Sequence, residues 1–170
     1  MIEIVTNNLI IRSFQESDIA DEYIEWLNNK ELMTYSEQRH INHTKATSQE
    51  YLESFYGTEN YFFAIESRQK RFLGTLTVYQ DTNNKIFDMG ILIGSEKARG
   101  KGFGSEAWAA VMVWIEENFQ VRKITAGAID KNKAMLGVMR KCGMTDDGTR
   151  KQHFLHNNDS VDIVYMAKSF

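Results

Sequence analysis

Arg99-Gly100-Lys101-Gly102-Phe103-Gly104, running on into Ser105-Glu106-Ala107, decides how this chain is read. Its three glycines free the backbone for positive φ and let a ligand approach without a Cβ in the way. The loop leads straight into an amphipathic segment at 104–119, where Trp108, Val111, Met112, Ile115 and Phe119 form one apolar stripe. A helix start leaves N–H groups unpaired and carries the positive end of the dipole. Lys97, Arg99 and Lys101 add charge there, against Glu96 alone. Such a loop suits a phosphate or pyrophosphate. A P-loop would place Ser or Thr after its Gly-Lys, but Gly102 follows Lys101. Gly102, Gly104 and Ala107 spell Gly-x-Gly-x-x-Ala, with Asp130 further on. That dinucleotide motif belongs tight against its strand, whereas about six residues intervene after Ile93, and too little chain follows for a doubly wound sheet. The plain alternative is a glycine-rich connector that only turns a strand into a helix.

Upstream of the loop, 61–66, 72–79 and 86–93 read as three strands with turns at 69–70 and 81–84, hence an antiparallel meander. Residues 2–5 and 9–14 read as a strand pair or one interrupted strand, broken at Thr6-Asn7-Asn8. Ile19, Tyr23, Trp26 and Leu27 recur at helical spacing in a helix over 17–28. A second helix is expected near 47–55, after a polar stretch at 35–44. Downstream come a strand at 123–129, a short helix at 132–142 closed by Gly143, and strands at 150–156 and 160–168. This order makes 86–93 and 123–129 parallel neighbours joined by a crossover helix. The fold class expected is α/β (α+β): a mixed, mostly antiparallel central sheet of about seven strands with helices on both faces.

The chain's 170 residues suit one domain over 1–170. At 42% hydrophobic it can bury a core, which argues against disorder. A net charge of −3 supplies no basic field, arguing against nucleic acid or an anionic membrane as partner. Cys142 is the single cysteine, so an internal disulfide is excluded and a cytoplasmic location is the simple expectation.

Arg99-x-x-Gly102-x-Gly104 resembles the acyl-CoA pyrophosphate loop of the GNAT N-acetyltransferases. The segment from Asn132 to Gly143-Met144 is similar to that family's second cofactor segment, and the element order fits from Leu9-Ile10-Ile11-Arg12 onward. Leu9-x-x-Arg12 and Trp26-Leu27-Asn28 look most like the branch holding ribosomal-protein and amino-sugar N-acetyltransferases. The resemblance implies acetyl-CoA as co-substrate and no metal. It implies cofactor contacts from Ile91, Leu92, Ile93, Arg99, Gly100, Lys101, Gly102, Phe103, Gly104, Ser105 and Asn132. Asn132 is also a good N-cap on its own account. The implied chemistry is direct attack of a neutral primary amine on the thioester.

For the proton, Asp88 is the first candidate, eleven residues before Arg99, where many family members carry a carboxylate. Glu37 and His40 are rivals, with His43, in the polar stretch. His40-x-x-His43 lacks the further ligands a metal would need. Met139 stands where many members place the tyrosine that protonates the thiolate. On that ground a CoA-binding module without turnover is the alternative from another class. Met135 and Gly137 replace the small polar and basic residues common in the ribosomal branch. Ser36, Gln38, Arg39, His40 and Asn42 match a hydroxyl-rich acceptor, with Arg39 for a nucleotide phosphate. The expected acceptor is a small-molecule amine, a nucleotide-linked amino sugar ahead of a protein N-terminus. A homodimer stays open.

Overall fold

The computed structural model describes residues 2–170. Eight strands form one sheet in the order β1-β2-β3-β4-β5-β6-β8-β7. They are β1 Glu3–Val5, β2 Leu9–Ser13, β3 Tyr61–Ser67, β4 Phe72–Asp81, β5 Ile86–Ile93, β6 Lys123–Ile129, β7 Thr145–His156 and β8 Asp159–Ser169. The helices are α1 Asp21–Asn28, α2 Lys45–Glu53, α3 Phe103–Asn118 and α4 Lys133–Lys141, with 3₁₀ turns at Glu16–Asp18 and Glu37–His40. Every pairing is antiparallel except β5 with β6, the pair joined by α3. The mixed sheet expected from the sequence is therefore present. The strand total is one higher than expected because Thr6-Asn7-Asn8 is a turn, which lets β1 fold back on β2.

Both faces of the sheet are covered, and strand alternation explains how. On β3, Phe63 and Ile65 join the core beneath α3 and α4, with Trp108, Val111, Ile115 and Met139. Phe62 and Ala64 point the other way, against Tyr23, Trp26, Leu27 and Leu52 of α1 and α2. The helix expected over 17–28 begins later, because Asp18 is drawn into an ion cluster. Arg12 donates to both carboxylate oxygens of Asp18 at 2.7 Å and also to Glu66. Asp18 and then Glu66 hold the Arg12 guanidinium well above its ordinary value. The Leu9-x-x-Arg12 signature is thus a clamp between β2, β3 and the chain entering α1.

Two contacts fix where the glycine loop starts. Gly94 lies flat against the Trp26 indole, and a Cβ there would come within 2.0 Å of the ring. Trp26 is itself stacked on Phe72 of β4, with centroids 5.0 Å apart. At the far end, the Glu106 carboxylate accepts from Thr6 Oγ1 at 2.6 Å, Asn8 N–H at 2.9 Å and Asn8 Nδ2 at 3.0 Å. Partial burial pushes that carboxyl up, but these three donors outweigh it and hold it below its ordinary value.

Gly94→Ala should lower stability by about 1–3 kcal/mol in urea unfolding, since the indole cannot retreat without unstacking. Gly137→Ala is the control. It lies inside α4 with nothing within 4 Å of its Cβ position. It should be neutral or stabilising by up to about 1 kcal/mol.

Candidate active site

The parallel pairing of β5 with β6 lasts three residues: Ile86 with Lys123, Phe87 with Ile124, and Asp88 with Thr125. Beyond that the strands part. β5 stays paired with β4 through Ile93, and β6 stays paired with β8 through Ile129. The sheet therefore opens into a notch bounded by Met89–Ile93 on one side and Ala126–Ile129 on the other. Alternate N–H and C=O groups of β5 that point away from β4 have no strand to meet there. An extended amide-bearing ligand could complete that edge as an added strand would.

The glycine loop caps the wide end of the notch. Gly100 (φ +74°) and Gly102 (φ +84°) take left-handed conformations, and Gly102 is the residue at which α3 begins. No side chain caps this helix. Lys101 N–H bonds to Ala98 O and Glu106 N–H to Gly102 O, so 102–105 present N–H groups with no protein acceptor among the described residues. Gly104 differs from the expectation. It is helical, and a Cβ there would meet only Ile93 and Val138 at ordinary contact distances. The fold does not demand glycine at 104, and its absence of a Cβ leaves room there for the close approach of a ligand. Asn132 caps α4, accepting from Met135 N–H at 3.1 Å. It follows β6, so it lies at the same carboxyl end of the parallel pair as the loop.

On the α1/α2 face, a cavity of about 440 Å³ meets the notch at Gly90, Ile91 and Leu92. Its walls are apolar and aromatic (Tyr23, Leu27, Met33, Tyr51, Phe62), dotted with Ser36, Gln38, His43, Thr47, Ser48, Thr75 and Thr77. Among the described residues no carboxylate, lysine or arginine lines it. A smaller depression of about 300 Å³ shares Leu27, Met33 and Ile41 with the cavity and is edged by Lys30, Arg39, His40 and Asn42.

A family model described as an acetyltransferase (GNAT) domain matches residues 8–145. The chain belongs to the GNAT acetyltransferase family. Solved structures share its architecture along nearly the whole chain. A GNAT-family acetyltransferase from Bacillus anthracis is 22% identical with a TM-score of 0.84, over 99% of this chain and 98% of that one. A spermidine N-acetyltransferase from Vibrio cholerae, in complex with CoA and spermine, is 17% identical with a TM-score of 0.85, over 96% of each chain. A ribosomal L7/L12 alpha-N-protein acetyltransferase in complex with CoA is 20% identical with a TM-score of 0.86, over 99% and 98%. At these identities the likeness is one of fold. Among the described residues no helix is long and apolar enough to cross a membrane.

Within this GNAT enzyme the residues singled out from sequence do not all converge. Ile91, Leu92 and Ile93 lie along the notch, and the loop residues lie at its mouth, with the Arg99 side chain half-exposed beside Glu96. Ser36 and Gln38 line the cavity. Glu37 and His40 do not. Both are largely exposed and face each other across 3.7 Å, because the 3₁₀ turn carries them to the solvent side. Arg39 is also misplaced by the sequence reading. Its guanidinium donates to the carbonyls of Thr34, Ser36 and Leu155 and lies over the Phe154 ring, so it ties the turn to the β7–β8 hairpin. Asp88 sits where the parallel pairing ends, accepting from Thr125 Oγ1 at 2.8 Å, outside the cavity lining. Its carboxylate reaches water but is hemmed in at the base of the notch. This partial desolvation pushes its carboxyl up, opposed by the Thr125 hydrogen bond. Met139 is fully buried in the core, so that position offers no acid to the notch.

The sequence reading missed the cavity residues carried by elements that look purely structural. Thr75 and Thr77 alternate on an otherwise apolar β4, a period-two polar pair on one face that could have flagged them. Tyr23 and Tyr51 sit at helical spacings that read as core.

Asp88 generates a stability prediction with a definite sign. Its folded pKa is raised, so the native state binds the proton more tightly than the unfolded chain does. Wild-type stability should therefore fall relative to Asp88→Asn as pH rises from about 4 through the raised value. Denaturant midpoints of both proteins across pH 4–8 check this, and parallel curves would remove it.

Proposed function

We propose that this enzyme transfers the acetyl group of acetyl-CoA to the primary amine of a hydroxyl-rich small molecule, a nucleotide-linked amino sugar. The observation that carries this reading is the uncharged lining of the cavity where it meets the notch. A polycation such as a polyamine needs anionic partners, and no carboxylate lines this cavity. The Vibrio cholerae neighbour is a spermidine N-acetyltransferase with the same fold, so the architecture alone does not set the acceptor. A sugar ring fits apolar and aromatic walls that carry hydroxyl and amide groups at intervals. Lys30 edges the adjoining depression, and its charge would suit an attached nucleotide diphosphate.

In this reading the whole of 1–170 works as one cytoplasmic catalytic domain. The pantetheine arm of acetyl-CoA lies in the notch, its amides against the free edge of β5 at Ile91, Leu92 and Ile93. The pyrophosphate sits on the N–H groups of 102–105, helped by Arg99 and Lys101. The Asn132 amide nitrogen, left free by the capping bond its oxygen makes, faces the arm from the other strand. Held this way, the thioester carbon is presented to the cavity near Gly90. No covalent enzyme intermediate is needed. At pH 7 an amine with a pKa near 7.8 is neutral about one-seventh of the time, against about one in 2,500 for a lysine.

A thiol-release screen with acetyl-CoA against nucleotide-linked amino sugars, polyamines and peptide N-termini tests the acceptor. Turnover is expected with the sugars, with polyamines lower in kcat/KM by at least about 100-fold, equivalent to two lost charge-assisted contacts. Turnover confined to peptides or polyamines would sink the sugar assignment.

Gly102→Asp should abolish CoA binding in calorimetry while circular dichroism stays native. It puts a carboxylate on the phosphate path at a left-handed position. Unchanged affinity in the folded variant would remove the loop from the cofactor site.

A further inference from the structure

We infer that His43, and not Asp88, Glu37 or His40, takes the proton from the acceptor amine. His43 is buried and lines the cavity where that amine would stand. One ring nitrogen is already committed: Nε2 lies 3.1 Å from the Gln38 carbonyl oxygen. A carbonyl only accepts, so in the neutral ring Nε2 carries the hydrogen and Nδ1 keeps its lone pair. The ring is held for this role by its own backbone. His43 N–H donates to Asn28 Oδ1 at 2.9 Å, and Asn28 Nδ2 donates to the His43 carbonyl at 2.8 Å. Asn28 of Trp26-Leu27-Asn28 thus grips this one residue as a paired strand would.

The surroundings leave no better-placed base. From α1 the titratable group facing the cavity is Tyr23, and from α2 it is Tyr51. Burial holds both phenols protonated far above neutrality, in Tyr51 with help from its hydrogen bond to Tyr79. β4 contributes Thr75 and Thr77, which carry no charge. The charged groups of the 3₁₀ turn, Glu37, Arg39 and His40, face solvent or the neighbouring depression. Lys45, two residues on, is paired with Asp21 in water. Asp88 is engaged with Thr125 below the notch.

The step balances simply. The bound ammonium gives one proton to His43 Nδ1, and its freed lone pair forms the N–C bond at the thioester carbonyl. The C–S bond breaks with its electron pair on sulfur. The second proton lost from nitrogen ends on that sulfur, giving amide and CoA thiol, and His43 returns its proton to water.

The test pairs chemistry with structure. Long-range ¹H–¹⁵N spectra of the apo-protein should show neutral His43 as the Nε2–H tautomer. His43→Gln keeps a donor for the Gln38 carbonyl but cannot take a proton. Assayed with the best amine of the screen, it should lose about 10²–10⁴ in kcat with CoA affinity unchanged. Its kcat–pH profile should differ in shape from that of the wild type, and added imidazole should partly restore His43→Ala. An Nδ1–H tautomer overturns the assignment. So does His43→Gln within threefold of wild type, or a loss in Asp88→Asn that matches it. If polyamines or peptides prove the best amines, the sugar reading fails while this test still decides the base.

Discussion

The structure depends on the parting of two parallel strands. β5 and β6 share only the Ile86, Phe87 and Asp88 register before separating. What keeps them apart is that each is committed elsewhere, β5 to β4 and β6 to β8, along its full length. The exposed edge costs unpaired backbone groups. On the proposed reading that cost is offset when a ligand bearing amides restores what the sheet withholds. The helix joining the two strands must start at the wide end of the notch. Its bare N-terminus and the free backbone edge therefore open onto the same notch.

Everything near the notch is braced from outside it. Glu106 ties the first turn of α3 to the β1–β2 turn. Its charge is thereby spent away from the loop, and an anion approaching the N–H groups of 102–105 does not meet it. Trp26 presses on Gly94 and sets the angle at which the chain leaves β5. Asn28, two residues along the same helix, grips His43. One short helix thus orients both the glycine loop and the residue proposed as base, and its signature Trp-Leu-Asn carries two separate mechanical duties.

Much of this is legible in the sequence. Apolar stretches set off by turn and loop residues place β5 and β6 at their observed bounds, and the glycine loop points to an anion at a helix start. The parallel pairing followed from chain order. What could not be read was orientation. The stretch from Tyr35 to His43 is uniformly polar, with no period to say which side chains face inward. Glu37, Arg39 and His40 looked as useful as Ser36, Gln38 and His43. A 3₁₀ turn over Glu37–His40 carries Glu37 and His40 to solvent and sends Arg39 to the hairpin, while Ser36, Gln38 and, beyond the turn, His43 line the cavity. Arg39 was misread for a related reason. Its carbonyl partner Leu155 and ring partner Phe154 lie more than a hundred residues away, and local pattern contains nothing about such contacts. The length of the β5–β6 pairing, the feature on which the site rests, is also a tertiary outcome with no local signal.

The neutrality of the cavity and the choice of base belong to one argument. A site that holds its acceptor with carboxylates stabilises the ammonium form and raises the very pKa that must be overcome. A cavity lined by hydroxyls, amides and aromatic rings does the reverse. It disfavours the charged amine through desolvation, which eases passage of the proton to the lone pair proposed at His43 Nδ1. On the proposed reading, such a site suits weakly basic amines on hydroxyl-rich frameworks, and it penalises strongly basic polyamines twice, in binding and in proton removal. Selectivity here comes from what the wall omits as much as from the groups it presents.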